Sequence, residues 1–191
     1  MNAASNYAMA KPPGRRRPRR KGRATKDAQR RALAKAHAEH RRPVRPTPAG
    51  FAVLHVDGGA RGAPGPAAIG YLVDDAAGVR LAEHAETIGM TTAAHAEYRA
   101  LLAGLTHAKQ LGLSRVNARS DSRLLVAHVN GDRHIRNPRL TALAAEITDQ
   151  RRRIGTVVFQ WIPATANAEA HQLVTHLLQS TVPRRPSRPE W

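Results

Sequence analysis

The chain contains no cysteine, so disulfides and zinc sites built on thiolates are excluded. No apolar run approaches the roughly 18 residues of a membrane span, and none has the form of a secretory h-region, so no membrane partner is expected. No segment repeats at a fixed period, which excludes solenoid and propeller arrays. Acids are scarce at one end only. Residues 1–50 hold 15 Lys and Arg against Asp27 and Glu39, a net of +13; residues 51–191 hold 16 against 12 acids, a net of +4, and together they make the +17 of the 191-residue chain.

Charge this uneven points to a polyanionic partner for the basic end, nucleic acid being the commonest, against the plain alternative of a solvated tail. The clusters Arg15-Arg16-Arg17 and Arg19-Arg20-Lys21 follow Pro12-Pro13 and suit an extended basic arm better than an organelle address. Residues 25–42 are rich in alanine and good helix formers but carry no continuous apolar stripe, so a helix there is marginal without a partner. Pro43, Pro46, Pro48 and Gly50 mark a linker. The expected organisation is a basic arm and linker over 1–50, one domain over 51–180 and a flexible tail over 181–191.

From Phe51 the pattern changes. Residues 51–56 predict a strand that ends at Asp57, with Asp57-Gly58-Gly59 as a turn; 67–73 and 79–89 predict two more strands joined by a hairpin turn at 74–78. A long helix is predicted over 94–111, closed by Gly112, then a strand over 116–120 and a short helix over 122–129. Asn137-Pro138 opens another helix, with Leu140, Leu143, Ala144 and Ile147 at helical spacing. A strand over 156–162 leads to a final helix capped by Asn167. The order β-β-β-α-β-α-α-β-α predicts an α/β fold with a five-stranded mixed sheet, an antiparallel meander followed by parallel strands joined through helices.

Several acids stand where packing alone would not place them. Asp57 and Asp121 each follow a predicted strand, where ligands gather in sheets with parallel strands. Glu97 shares a helix face with Leu101 and Gly104, beside Leu105 and Ala108, the stripe that should face the sheet; a carboxylate there is costly to bury without a partner. His171 lies one turn into the last helix, at the edge of its apolar stripe. Taken singly, each has a bland explanation: a turn Asp, a helix cap, a carboxylate reaching water, an exposed histidine. Together they become informative, because one fold can bring all of them to one end of a sheet.

The motifs that hold these residues resemble those of type 1 ribonuclease H, in the short branch that lacks the basic protrusion. The likeness covers about 130 residues: Asp57-Gly58-Gly59-Ala60-Arg61-Gly62 with Pro64-Gly65-Pro66, then Ala96-Glu97-Tyr98-Arg99-Ala100-Leu101, then Ser120-Asp121-Ser122, then Val129-Asn130-Gly131 with Asn137-Pro138-Arg139-Leu140, and finally Trp161-Ile162-Pro163, Asn167 and Glu169-Ala170. The resemblance implies a ribonuclease H-like fold and two-metal hydrolysis of the RNA strand in RNA–DNA hybrids. Two Mg²⁺ or Mn²⁺ ions about 3.5–4 Å apart can stabilise the attacking and leaving oxygens, and such hard ions prefer carboxylate oxygen. Asp57 would bridge them, Glu97 and Asp121 would hold one, and His171 with Asp57 the other. Hybrid contacts are expected at Gly58, Gly59, Arg61, Arg123, Asn130 and the basic arm.

The sequence also departs from the family. His171 stands where an aspartate is usual; Ala63, Ala93 and Ala94 replace asparagines that touch the hybrid, and Arg123 replaces a glutamine. Ala164 and Thr165 occupy a loop in which relatives carry His or Arg. A second expectation is therefore a nucleic-acid-binding module of the same fold with weakened catalysis. A monomer is expected, in the cytoplasm, and on the nucleoid if the source is bacterial.

Removing residues 1–46 should weaken hybrid binding and flatten its dependence on salt, by about 0.9 in log–log slope for each phosphate no longer neutralised. Cleavage at saturating substrate should change little. A binding titration over salt concentrations checks this; an unchanged slope would leave the arm without a phosphate-binding role.

Overall fold

The computed structural model describes residues 44–180, together with Ala28 and Arg31, which are helical and exposed. The basic clusters at 15–21, most of the helix expected over 25–42 and the tail expected over 181–191 lie outside the described residues.

Three strands form an antiparallel meander: β1 (Ala52–Ala60), β2 (Gly65–Asp74) and β3 (Arg80–Thr91). Helix α1 (Ala93–Gln110) crosses to β4 (Arg115–Ser120), which pairs parallel with β1. Helices α2 (Arg123–Val129) and α3 (Pro138–Ile154) lead to β5 (Thr156–Trp161), parallel to β4, and a short 3₁₀ turn (Ala164–Ala166) precedes α4 (Ala168–Ser180). The strand order is β3-β2-β1-β4-β5, the mixed five-stranded sheet that the sequence predicts. No helix among the described residues is long and apolar enough to cross a membrane.

The two sheet faces follow from strand alternation. Leu54 and Val56 of β1, Ile69 and Val73 of β2 and Val116 of β4 meet Leu101 and Leu105 of α1 in the main core, with Leu140, Leu143 and Ile147 of α3 completing it. The opposite face carries Ala68, which packs with Val174 and Leu178 of α4. Capping fixes where the helices start. Thr92 Oγ1 accepts from His95 N–H, Ser122 Oγ from Leu125 N–H, and Asn137 Oδ1 from Arg139 and Leu140 N–H. Gly112, at φ +74°, follows α1 as expected.

One expectation needs correction. Asp57-Gly58-Gly59 is not a turn: β1 runs on to Ala60, with Asp57 opposite Gly70, Gly58 opposite Ile69 and Gly59 opposite Ala68. The glycine serves close approach rather than bending. A Cβ on Gly58 would lie 2.3–2.5 Å from the backbone of Ala96 and Glu97, so only glycine lets α1 touch β1 here.

The segment read as a linker is also bound to the sheet. Gln160 Nε2 donates to Arg45 O (3.0 Å) and Arg119 Nη2 to Thr47 Oγ1 (2.7 Å). A truncation at 46 would remove Arg45 from this attachment, so an arm deletion is better ended before Val44.

Gly58→Ala should destabilise the domain by about 2 kcal/mol or more, because the rigid backbone on both sides must separate. A lower denaturant midpoint at unchanged slope is the expected observation.

Candidate active site

Asp57, Glu97, Asp121 and His171 gather at one end of the sheet. Alternation along β1 turns Asp57 to the α4 face, where His171 Nδ1 lies 3.0 Å from Asp57 Oδ2. Glu97 comes from the other face, carried to β1 by the close approach at Gly58. Asp121 follows the last residue of β4. The four residues singled out in the sequence are thus brought together from β1, α1, the end of β4 and α4.

Each acid has its own restraint. Ser122 Oγ donates to Glu97 Oε2 (2.5 Å) while capping α2, so one hydroxyl both starts that helix and holds the carboxylate. Asn167 Nδ2 donates to Asp121 Oδ1 (3.0 Å) and to Val56 O (2.9 Å), and Trp161 Nε1 donates to Asp121 O (3.0 Å). Asn167 does stand at the start of α4, its carbonyl accepting from His171 N–H. Its side chain, however, is not a helix cap. It is buried, shares Oδ1 with His55 Nδ1 at 3.2 Å, and ties β1, β4 and α4 into one unit. Sequence reasoning missed this role, and also those of Ser122, Trp161 and His55. A polar residue bounded by Ala166 and Ala168 was the available signal for Asn167, but a cap explained it too easily.

The acids crowd one another. Burial raises the Asp57 carboxyl above its usual range and Asp121 raises it further, against the opposing pull of His171. Burial pushes Glu97 up to about 7, with Asp57 and Asp121 adding to it and the Ser122 hydrogen bond opposing. Asp57 and Glu97, raised by burial and by their charged neighbours, make with Asp121 a cluster suited to a cation, and its hard oxygen donors fit Mg²⁺ or Mn²⁺. As their side chains stand, no three His, Asp or Glu among the described residues close on one point as a ligand set. Asp57 faces His171, Glu97 faces Ser122 and Asp121 faces Asn167, so binding an ion here would exchange these hydrogen bonds for it.

The tautomer of His171 follows from its partners. With Asp57 ionised, its oxygen only accepts, so Nδ1 carries the proton toward it and Nε2 presents its lone pair, 3.3 Å from Thr175 Oγ1. In this arrangement Nε2 points away from Asp57, so holding an ion together with Asp57 would require the ring to give up the Nδ1 hydrogen bond.

The expected nucleic-acid contacts divide. Arg123 is exposed, with its guanidinium 3.9 Å from the Trp161 ring centroid, at the rim beside Asp121. Arg61 is exposed just beyond β1. Asn130 Nδ2 donates to Phe159 O (3.2 Å), which ties the end of α2 to β5. Gly58 and Gly59 face protein: the helix backbone for the first, Val174 and Leu178 for the second.

The model of a family described as reverse transcriptase-like matches residues 55–177. The chain is 36% identical over 132 residues to the bifunctional protein Rv2228c of Mycobacterium tuberculosis, a match covering 67% of this chain and 35% of that protein. It thus spans about a third of the length of that relative. Among solved structures, RNase H1 of the halophilic archaeon Halobacterium salinarum is 30% identical with a TM-score of 0.67, covering 69% of this chain and 100% of that one. LC11-RNase H1, isolated from compost and solved in complex with RNA/DNA hybrid, is 36% identical with a TM-score of 0.62, covering 65% and 94%.

A raised acid makes stability depend on pH. Between the usual carboxyl value of 4.5 and about 7, folded Glu97 binds more proton than the unfolded chain does, so metal-free protein should lose stability as pH rises through that window. Glu97→Gln should flatten the loss. Denaturation midpoints in chelator across the window check it; equal pH profiles would mean that Glu97 is not desolvated.

Proposed function

Because the chain belongs to the type 1 ribonuclease H family, we propose that it hydrolyses the RNA strand of RNA–DNA hybrids endonucleolytically, with two divalent ions. One observation carries this reading: Asp57, Glu97, Asp121 and His171 meet at one end of the sheet, with hydrogen bonds that orient each acid. When bound, Mg²⁺ or Mn²⁺ would supply positive charge to the attacking and leaving oxygens of the phosphodiester. Asp57 would bridge two ions, Glu97 and Asp121 would hold one, and His171 would share the other with Asp57. Asn167 orients Asp121, and Ser122 orients Glu97. Arg123, Arg61 and the basic arm would meet phosphates, which position the hybrid without reading its sequence.

A second reading is a binding module of the same fold with weakened catalysis. It is favoured by Ala63 and Ala93, both exposed, and by half-buried Ala94, which offer methyl groups where the family presents amides.

A neutral imidazole brings no negative charge, so the cluster carries about −3 where four carboxylates would carry about −4. Mn²⁺ accepts imidazole nitrogen more readily than Mg²⁺ does, so cleavage should favour Mn²⁺, and His171→Asp should lower the Mg²⁺ concentration needed. Asp57→Asn should abolish cleavage of a labelled RNA–DNA hybrid while hybrid binding and fold persist. Binding without cleavage by the unsubstituted protein in either metal would select the second reading. More than a few per cent of cleavage by Asp57→Asn would remove Asp57 from the bridging role.

A further inference from the structure

His171 is only as well placed as the helix that carries it, and α4 is unevenly held. Ala170, Val174 and Leu178 are buried against the sheet, close to Gly59 and Gly70. The flank toward β3 is open: a groove of about 440 Å³ runs there, lined by Leu72, Ala85, Leu173 and Leu177, with Glu83 and Glu169 at its rim. Ala170 and the hydrogen bonds of Asn167 hold the start of α4 on its sheet side, and the groove leaves its β3 side less supported.

One side chain crosses the gap. Arg80, the first residue of β3, donates through Nη2 to Glu169 Oε2 in the first turn of α4 (2.8 Å), through Nη1 to Glu83 Oε2 of β3 (3.1 Å), and through Nε to Asp74 Oδ1 at the end of β2. The three nitrogens of a single planar guanidinium thus serve three carboxylates from three elements. The acids around it hold its charge, which raises its pKa further above an already high value. Glu169 lies two residues before His171, in the same turn.

We propose that Arg80 is a positioning residue for the metal site: by joining Glu169 to the β2–β3 hairpin it sets the tilt of α4, and so places His171 against Asp57. The metal part of this inference rests on the function proposed above; the helix placement does not. An isolated exposed ion pair contributes little, but here loss of the cation also leaves Asp74, Glu83 and Glu169 facing one another, which drives the helix start away from the hairpin.

The sign of the effect separates positioning from plain electrostatics. Acting only through space, removal of a cation should tighten binding of a divalent ion and removal of Glu169 should weaken it. Acting through helix placement, both removals weaken it. The experiment measures Mn²⁺ binding by the loss of the free-ion resonance signal, and amide hydrogen exchange over 168–174 against α1, in the full chain and in Arg80→Gln, Glu169→Gln, the double variant and Arg80→Lys. Arg80→Gln and Glu169→Gln should each weaken Mn²⁺ binding about three- to tenfold, the range that one or two exposed ion pairs supply, and speed exchange in α4 but not α1. The double variant should be no worse than Arg80→Gln alone, since both break one linkage. Lysine should recover only part, because a point charge cannot span three acids.

Tighter or unchanged Mn²⁺ binding in Arg80→Gln, or exchange over α4 equal to that of the unsubstituted chain, overturns the assignment. Glu169 is largely exposed, so Glu169→Gln tests the link even if Arg80→Gln fails to fold. Failure of the unsubstituted chain to bind Mn²⁺ would overturn the metal reading instead; exchange in α4 would then decide the role of Arg80 alone.

Discussion

Everything at the site depends on one close approach, that of the α1 backbone to β1 at Gly58. Strand alternation sends Asp57 to one face of the sheet and Glu97 arrives from the other, so the two acids share a site only where the separating layer is thinnest. Gly58 supplies that thinness: the backbone of Ala96 and Glu97 occupies the space of its missing side chain. The same approach desolvates Glu97, and desolvation is the largest cause of its raised pKa. Geometry and electrostatics here have one origin.

That origin was poorly legible in the sequence. Asp-Gly-Gly has the local chemistry of a turn, and a glycine needed for close approach looks no different from one needed for bending until the element opposite is known, here residues 96–97. Local signals fared well where the cause was local. Asn137-Pro138 starts α3, Gly112 follows the end of α1, and the apolar spacing of Leu101, Leu105 and Ala108 puts that face on the sheet. Asp121 was placed correctly, because its strand ends on the residue before it. His171 was singled out from the residues only as the edge of a stripe, and its expected role as a ligand came from the resemblance. Asn167 and Arg80 were missed as organisers because their partners lie 111 and 89 residues away.

The acids share a pattern of hydrogen-bonding neighbours with distinct tasks. Ser122 and Asn167 donate hydrogen bonds without changing the charge of the cluster, whereas His171 donates through a ring nitrogen whose other nitrogen remains basic. The crowded carboxylates are thereby kept oriented, while burial first and mutual repulsion second raise Asp57 and Glu97.

The triple attachment of Asn167 has a kinetic consequence. Its side chain bonds Val56, Asp121 and His55, so from the start of the last helix it draws together the first strand and the end of the fourth. The meander of β1 to β3 is built from short-range pairings, while the β1–β4 ladder and this Asn depend on partners far apart along the chain, which close slowly because of the entropy of the long loops between them. Folding should therefore complete the meander before the site, and during synthesis the site cannot assemble until His171 is available.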